Sequence, residues 1–277
     1  TSPPQRPWLA RTLPISQRVE LLLANLTVNQ KIQQTYAVHS SEKVARQFQQ
    51  DGVGSVKFLS AFDEDLETSI QKRNQLQSDF LAASGIPISF INEGLHGGAP
   101  GGTIFPMPVN QGATWNRTLV RLIARAIAIE ARAIGVDTVF APVVNLWTDP
   151  RFGRLQEGYS ENPFLTATLG MEAVLGLQHN VTTPSDYLDN VSVASLGKHY
   201  AAYGAATGGL NGGPASVDRR MLFEVYLRPW SALASVGMRA CMPAHNTVLG
   251  VPCHANEYLL KDVLRERFGF RGVALSD

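Results

Sequence analysis

The chain has 277 residues, 44% of them hydrophobic and 17% charged, with a formal net charge of +1. That balance gives no overall field to draw nucleic acid or an anionic membrane surface. No apolar run approaches the ~20 residues of a membrane-spanning helix. A chain this apolar and this weakly charged is not disordered along its body, and its core needs neither disulfide nor metal to hold it.

Residues 1–14 are rich in proline and arginine, have no period, and read as an extended arm. Residues 15–277 read as one domain in which two kinds of segment alternate. Seven apolar or β-branched runs look like buried strands: Thr35 to His39, Gly54 to Leu59, Pro87 to Asn92, Thr138 to Leu146, Val191 to Gly197, Met238 to His245 and Gly272 to Asp277. Segments of helical period separate them, and three are clear. Asn116 to Ile134 has an asparagine suited to the N-cap and an arginine stripe at positions 117, 121 and 125. Its apolar face carries Leu119, Ile123, Ile127 and Ile134, and Gly135 suits the stop. Asp218 to Val236 ends before Gly237, with a kink expected at Pro229. Asn256 to Phe268 ends before Gly269.

Strands that are apolar throughout, alternating with helices, predict a parallel sheet covered by helices. A doubly wound sheet would normally carry a glycine-rich phosphate turn after its first strand. There is no GxGxxG and no GxxxxGK[ST] here. The expected architecture is therefore a TIM-type (β/α)8 barrel, incomplete because seven strands are visible and the closing unit is absent.

The strand ends carry the chemistry. The third strand runs into Glu93 and His96, and the fourth into Asp149, Arg151 and Arg154. The fifth leads to Lys198 and His199, the sixth to His245 and Asn246, and the seventh to Asp277. Any one of these, taken singly, is a solvated loop charge or a helix cap. Polar groups at five successive strand ends match the active face of a parallel barrel. Carboxylates, cations and imidazoles around one cavity suit a polyhydroxylated ligand, because charged partners make the stronger hydrogen bonds. Lys198 and Arg154 are expected to lie close to Asp277 and balance its charge. An ionised carboxylate facing a developing oxocarbenium ion is what a retaining glycosidase needs.

Four motifs then carry a family resemblance: "NEGLHGG" at 92–98, "FAPVVNLWTDPRFGRLQEGYSENP" at 140–163, "GKHYAAYG" at 197–204 and "RGVALSD" at 271–277. Together they resemble the N-terminal barrel domain of glycoside hydrolase family 3, the β-glucosidase and β-xylosidase family. The likeness implies retaining hydrolysis of a terminal β-linked glucoside or xyloside, without cofactor or metal. It makes Asp277 the catalytic nucleophile. Glu93, Arg154, Lys198, His199 and His245 become substrate-binding residues. His245 stands where the family usually has tyrosine, Phe152 where tryptophan is common, and Leu249 where asparagine is frequent. The loop "AAYGAATGGLNGG" lacks the Asp–His pair of the N-acetylglucosaminidase branch.

In the family the acid/base glutamate comes from a following domain. The resemblance therefore implies a C-terminal α/β domain in the full-length protein and little activity in these 277 residues alone. Two other readings compete: a non-catalytic sugar-binding barrel, and a metal-dependent barrel hydrolase using His96, His199 and His245. The second has neither an HxH nor an HExxH pair, and Lys198 beside His199 would repel a metal. Sequons at Asn25, Asn116, Asn180 and Asn190 favour a secreted glycoprotein, with Asn116 the least suited if it caps a helix. Cys241 and Cys253 form no CxxC pair. They are expected to be buried thiols, with a single bridge as the alternative.

Overall fold

The structure is a computed structural model that describes residues 6–39, 42–57, 65–99, 101–183 and 186–277. The first five residues of the expected arm and the last two of the expected second strand (58–59) lie outside the described residues. The chain divides into two compact units, Thr1–Ile91 and Asn92–Asp277.

In the first unit, strands β1 (Ala37–His39) and β2 (Ser55–Lys57) pair in parallel, and β2 pairs in parallel with residues 89–91 of β3 (Ser89–Glu93), whose last two residues begin the second unit. Val38, Val53, Val56, Leu76, Phe80, Ile88 and Phe90 form its core. The helix Leu66–Ala83 buries Leu76 and Phe80 there and is capped by Asp65, whose carboxylate accepts from the Thr68 N–H. At its other end the expected free arm is tied down. The Arg6 guanidinium donates to the carbonyls of Leu81, Ala82 and Ala83 in the last turn, where a cation also meets the negative end of the helix dipole. The Trp8 indole donates to Gly85 O nearby.

In the second unit, β4 (Thr138–Phe140), β5 (Ala194–Tyr200), β6 (Ala240–Pro243) and β9 (Val273–Ala274) are again parallel and in chain order. Each of the seven strands expected from the sequence has its counterpart. The fourth is shorter than its apolar run. Pro142 has no N–H to give a ladder, so residues 141–146 stay buried but irregular. An antiparallel hairpin, β7 (Thr247–Val248) and β8 (Val251–Pro252), follows β6 and was not expected.

The helix Arg117–Ala133 is capped as expected, with Asn116 Oδ1 accepting from the Leu119 N–H at 3.0 Å. Its buried face is Val120, Ile123, Ala124, Ile127, Ala128 and Ala131; Leu119, read as part of it, is exposed. The arginine stripe is not simply a solvated face. Arg117 and Arg121 both bind the carboxylate of Glu172, whose side chain is 4% exposed, on the helix Pro163–Leu177. That helix touches this one so closely that a Cβ on Gly176 would stand 2.4 Å from Arg121 O. The segment from Asp218 breaks as predicted. It runs Arg219–Met221, widens where the Leu227 N–H reaches Leu222 O, and resumes at Arg228–Ser235 with Pro229 in its first turn. Cys241 and Cys253 are buried thiols, not bridged.

At the hairpin turn Leu249 has φ 54° and Gly250 φ 79°. A two-residue loop with both central residues left-handed is the type I′ turn, which favours Asn-Gly. A leucine there is strained by roughly 1–2 kcal/mol. Leu249→Asn is expected to raise stability by ~1 kcal/mol, seen as a higher urea midpoint at unchanged slope; an unchanged midpoint would mean the turn stores no such strain.

Candidate active site

The site is assembled from the C-terminal ends of strands and the loops that follow them. Glu93 ends β3, Arg154 follows β4, Lys198 and His199 lie in β5, His245 follows β6 and Asp277 follows β9. Two ion pairs organise it. Lys198, with its side chain 8% exposed, donates from Nζ to Glu93 Oε2 at 3.0 Å and lies 5.6 Å from the centre of the Phe140 ring. Arg154 grips Glu157 with two parallel bonds, Nε to Oε1 at 2.6 Å and Nη2 to Oε2 at 2.8 Å. This fork geometry fixes the guanidinium plane as well as its charge. Between the pairs opens a cavity of about 380 Å³, walled by Glu93, Leu95, His96, Gly97, Met107, Arg154, Gln156, Glu157 and Lys198. That volume is in the range of small-ligand pockets, roughly 300–1,000 Å³.

His199 is enclosed. Its backbone N–H donates to Asn145 Oδ1 at 3.1 Å, and Asn145 Nδ2 lies 3.1 Å from its Nδ1. With Oδ1 engaged by the backbone, the amide presents its donor to Nδ1, and on the other side Nε2 meets the Arg154 guanidinium, which can only donate. That nitrogen lies 3.3 Å from Arg154 Nη2 and 3.7 Å from Asp277 Oδ2. Burial first, then the charges of Lys198 and Arg154 and the neighbouring His245, hold the pKa of His199 down to about 2. It is a neutral hydrogen-bonding group at any ordinary pH.

Asp277, with its side chain 23% exposed, faces imidazoles and not cations. His245 Nε2 is 3.3 Å from its Oδ2, and its backbone N–H donates to His254 Nε2 at 3.2 Å. The expected pairing of Lys198 and Arg154 with Asp277 is corrected here. Each cation has a carboxylate of its own, which leaves Asp277 to the histidines.

The other strand-end groups sort themselves plainly. Asp149 and Arg151 bind one another near the surface, with Arg151 72% exposed. His96 Nδ1 lies 3.0 Å from Phe105 O. Among the described residues no group of three or more His, Cys, Asp or Glu side chains is placed to hold a metal ion. Four neighbours of the site went unpredicted: Asn145, Glu157, Tyr203 and His254. Tyr203 packs its ring 4.9 Å from that of His199 and 5.5 Å from the Arg154 guanidinium carbon. Only Glu157 had a local signal, standing three residues after Arg154. Asn145 and His254 are placed by chain contacts 54 and 23 residues apart, and Tyr203 by contacts with His199, four residues before it, and with Arg154.

Comparison with known proteins agrees with this arrangement. Residues 27–277 match the glycosyl hydrolase family 3 N-terminal domain. The chain is 32% identical over 262 residues to a periplasmic beta-glucosidase of Salmonella typhimurium, covering 92% of this chain and 32% of that protein. It is 37% identical over 201 residues to a beta-xylosidase of Formosa agariphila, covering 70% of this chain and 27% of that protein. A mutant beta-glucosidase from Listeria innocua, solved in complex with laminaribiose, superposes with a TM-score of 0.83 at 30% identity, over 94% of this chain and 37% of that one. The chain thus spans about a third of the length of these relatives. Its seven parallel strands fit the incomplete TIM-type barrel expected from the sequence. On the match of its sequence and its fold together, the chain belongs to glycosyl hydrolase family 3, as the N-terminal domain of that family.

Proposed function

We propose that this domain forms the sugar-binding half of a retaining glycoside hydrolase that removes a terminal β-linked glucose or xylose, with Asp277 as nucleophile. The observation that carries the reading is the division of labour among the carboxylates. Glu93 and Glu157 are each held by a lysine or an arginine, whereas Asp277 faces imidazole nitrogens. Glu93, Lys198 and Arg154 would hold the hydroxyls of the reacting sugar in the cavity they wall. His199, neutral, would add a further hydrogen-bonding group. His245 would border the anomeric carbon beside Asp277. Similarity to a beta-glucosidase and a beta-xylosidase supports the substrate class.

In such a reaction the nucleophile attacks the anomeric carbon and the leaving oxygen takes a proton from a second carboxyl about 5–5.5 Å away. Water then cleaves the glycosyl ester, its proton returning to that second group. Glu93 and Glu157 are unsuited to the second role, because each carboxylate is already engaged by a cation. We assign the acid/base to polypeptide beyond residue 277. That assignment also fits the share of the relatives' length that lies outside the match. An extracytoplasmic location is proposed on the periplasmic name of one relative and on the exposure of Asn25, Asn180 and Asn190.

Three measurements test the reading. A 2-fluoro β-glycoside should label Asp277 in the natural gene product, as peptide mapping would show; label on Glu93 or another residue would reject the assignment. The isolated 277 residues should not hydrolyse an aryl β-glucoside, and robust turnover would overturn the placing of the acid/base. Binding of glucose without turnover by the gene product would favour the non-catalytic reading. A further test concerns His199. Folded, it takes up no proton until about pH 2, whereas an unfolded imidazole does so near 6.5. Below about pH 6.5 the unfolded state binds more protons, so stability is lost as pH falls, by at most ~1.4 kcal/mol per unit. His199→Asn should flatten that slope between pH 6 and 4, relative to the wild type; identical slopes in urea titrations would refute it.

A further inference from the structure

We propose that His254 is the positioning residue of the nucleophile: its ring nitrogen takes the Asp277 backbone N–H in place of a strand carbonyl and so sets the direction in which Asp277 leaves β9. The inference rests on the reading of Asp277 as nucleophile.

The ladder between β6 and β9 shows the substitution. The Val273 N–H donates to Arg239 O at 3.0 Å, and the Leu275 N–H to Cys241 O at 2.9 Å. The next N–H in this alternating series belongs to Asp277, and it donates to His254 Nε2 at 3.2 Å. A side chain has replaced the next rung. The strand is released from its neighbour at the residue whose carboxylate must aim into the site, yet its backbone is still held. To accept at Nε2, the neutral ring carries its proton on Nδ1.

The hairpin makes His254 a fixed point although its side chain is exposed. Asn246 is wholly buried, and its Nδ2 donates to Ala201 O at 3.2 Å. The Cys253 N–H donates to Asn246 O at 3.0 Å, closing the hairpin at its base. Asn256, also buried, donates to Val248 O at 3.1 Å and accepts from the Leu259 N–H. Two buried asparagines thus lock the segment on both sides of β7 and β8. From this locked base the chain projects His245 just before the hairpin and His254 just after it. Their ring centres are 5.9 Å apart. One holds the Asp277 carboxylate and the other its backbone. Misplacement of a reacting atom by ~1 Å can cost ~100-fold in rate, so loss of the backbone tether should appear in the chemical step more than in sugar affinity.

The test uses the natural gene product, with wild type, His254→Ala and His254→Gln compared. The rate of Asp277 labelling by a 2-fluoro β-glycoside is measured with kcat and KM for an aryl β-glycoside. His254→Ala should slow labelling and lower kcat by ~10–100-fold with KM little changed. His254→Gln, whose amide oxygen can take the same N–H, should recover most of the loss. Wild-type labelling of Asp277 with an unaffected His254→Ala overturns the positioning role alone. So does a loss that Gln fails to rescue and that tracks a lowered melting temperature, since that marks a structural role. Wild-type labelling at another residue overturns the nucleophile assignment and this inference with it.

Discussion

A buried cation must have its own acid, and that constraint organises the site. Lys198 is nearly enclosed, and an ammonium taken out of water persists only if it is paired. Glu93 supplies the charge. Arg154, part-buried under the same conditions, takes Glu157 in a fork. Once both cations are matched, neither has reason to reach Asp277. Its carboxylate is left to imidazoles, which can hydrogen-bond to it without neutralising it permanently. Two carboxylates are thus engaged by cations and the third is not. His199 completes the pattern. Two cations and burial keep it unprotonated, so it serves as a neutral hydrogen-bonding group and not as a third positive charge.

The scaffold beneath is built to hold these groups still. Asn145 orients His199 by taking its backbone N–H on one atom and facing its ring with the other. Asn246 and Asn256 perform the same kind of work for the hairpin. In each case a buried side-chain amide satisfies backbone groups that an irregular loop would leave orphaned. Buried asparagines therefore mark where the barrel's end departs from regular ladders.

Much of the fold was legible in the sequence because strand burial leaves a strong pattern. All seven strands were found, as were the Asn116 cap, the break at Pro229 and the positive-φ glycines that end three helices. What was missed has physical reasons. The helix Pro163–Leu177 is buried on several faces, so its sequence has no amphipathic period to find. Leu119 falls near the edge of the apolar stripe, and a shift of one residue to Val120 moves the buried face away from it. The hairpin after β6 has only two residues per strand and carries Leu-Gly where Asn-Gly would have announced it. The arm's arginine caps a helix about 75 residues away, a contact that no local pattern encodes.

For the site, the sequence by itself determined which residues stand at the strand ends, since a parallel strand delivers its C-terminal residues to one face. It determined the family through four joint motifs. Only the tertiary structure decided which charges meet. Partner choice depends on distances of a few ångströms between side chains far apart in the chain, and several cations could have served Asp277. Folding gave Lys198 to Glu93 and Arg154 to Glu157, and brought Asn145 and His254 to the groups they hold. Those pairings set the charge that each carboxylate meets: Glu93 and Glu157 lie against cations and Asp277 against imidazoles.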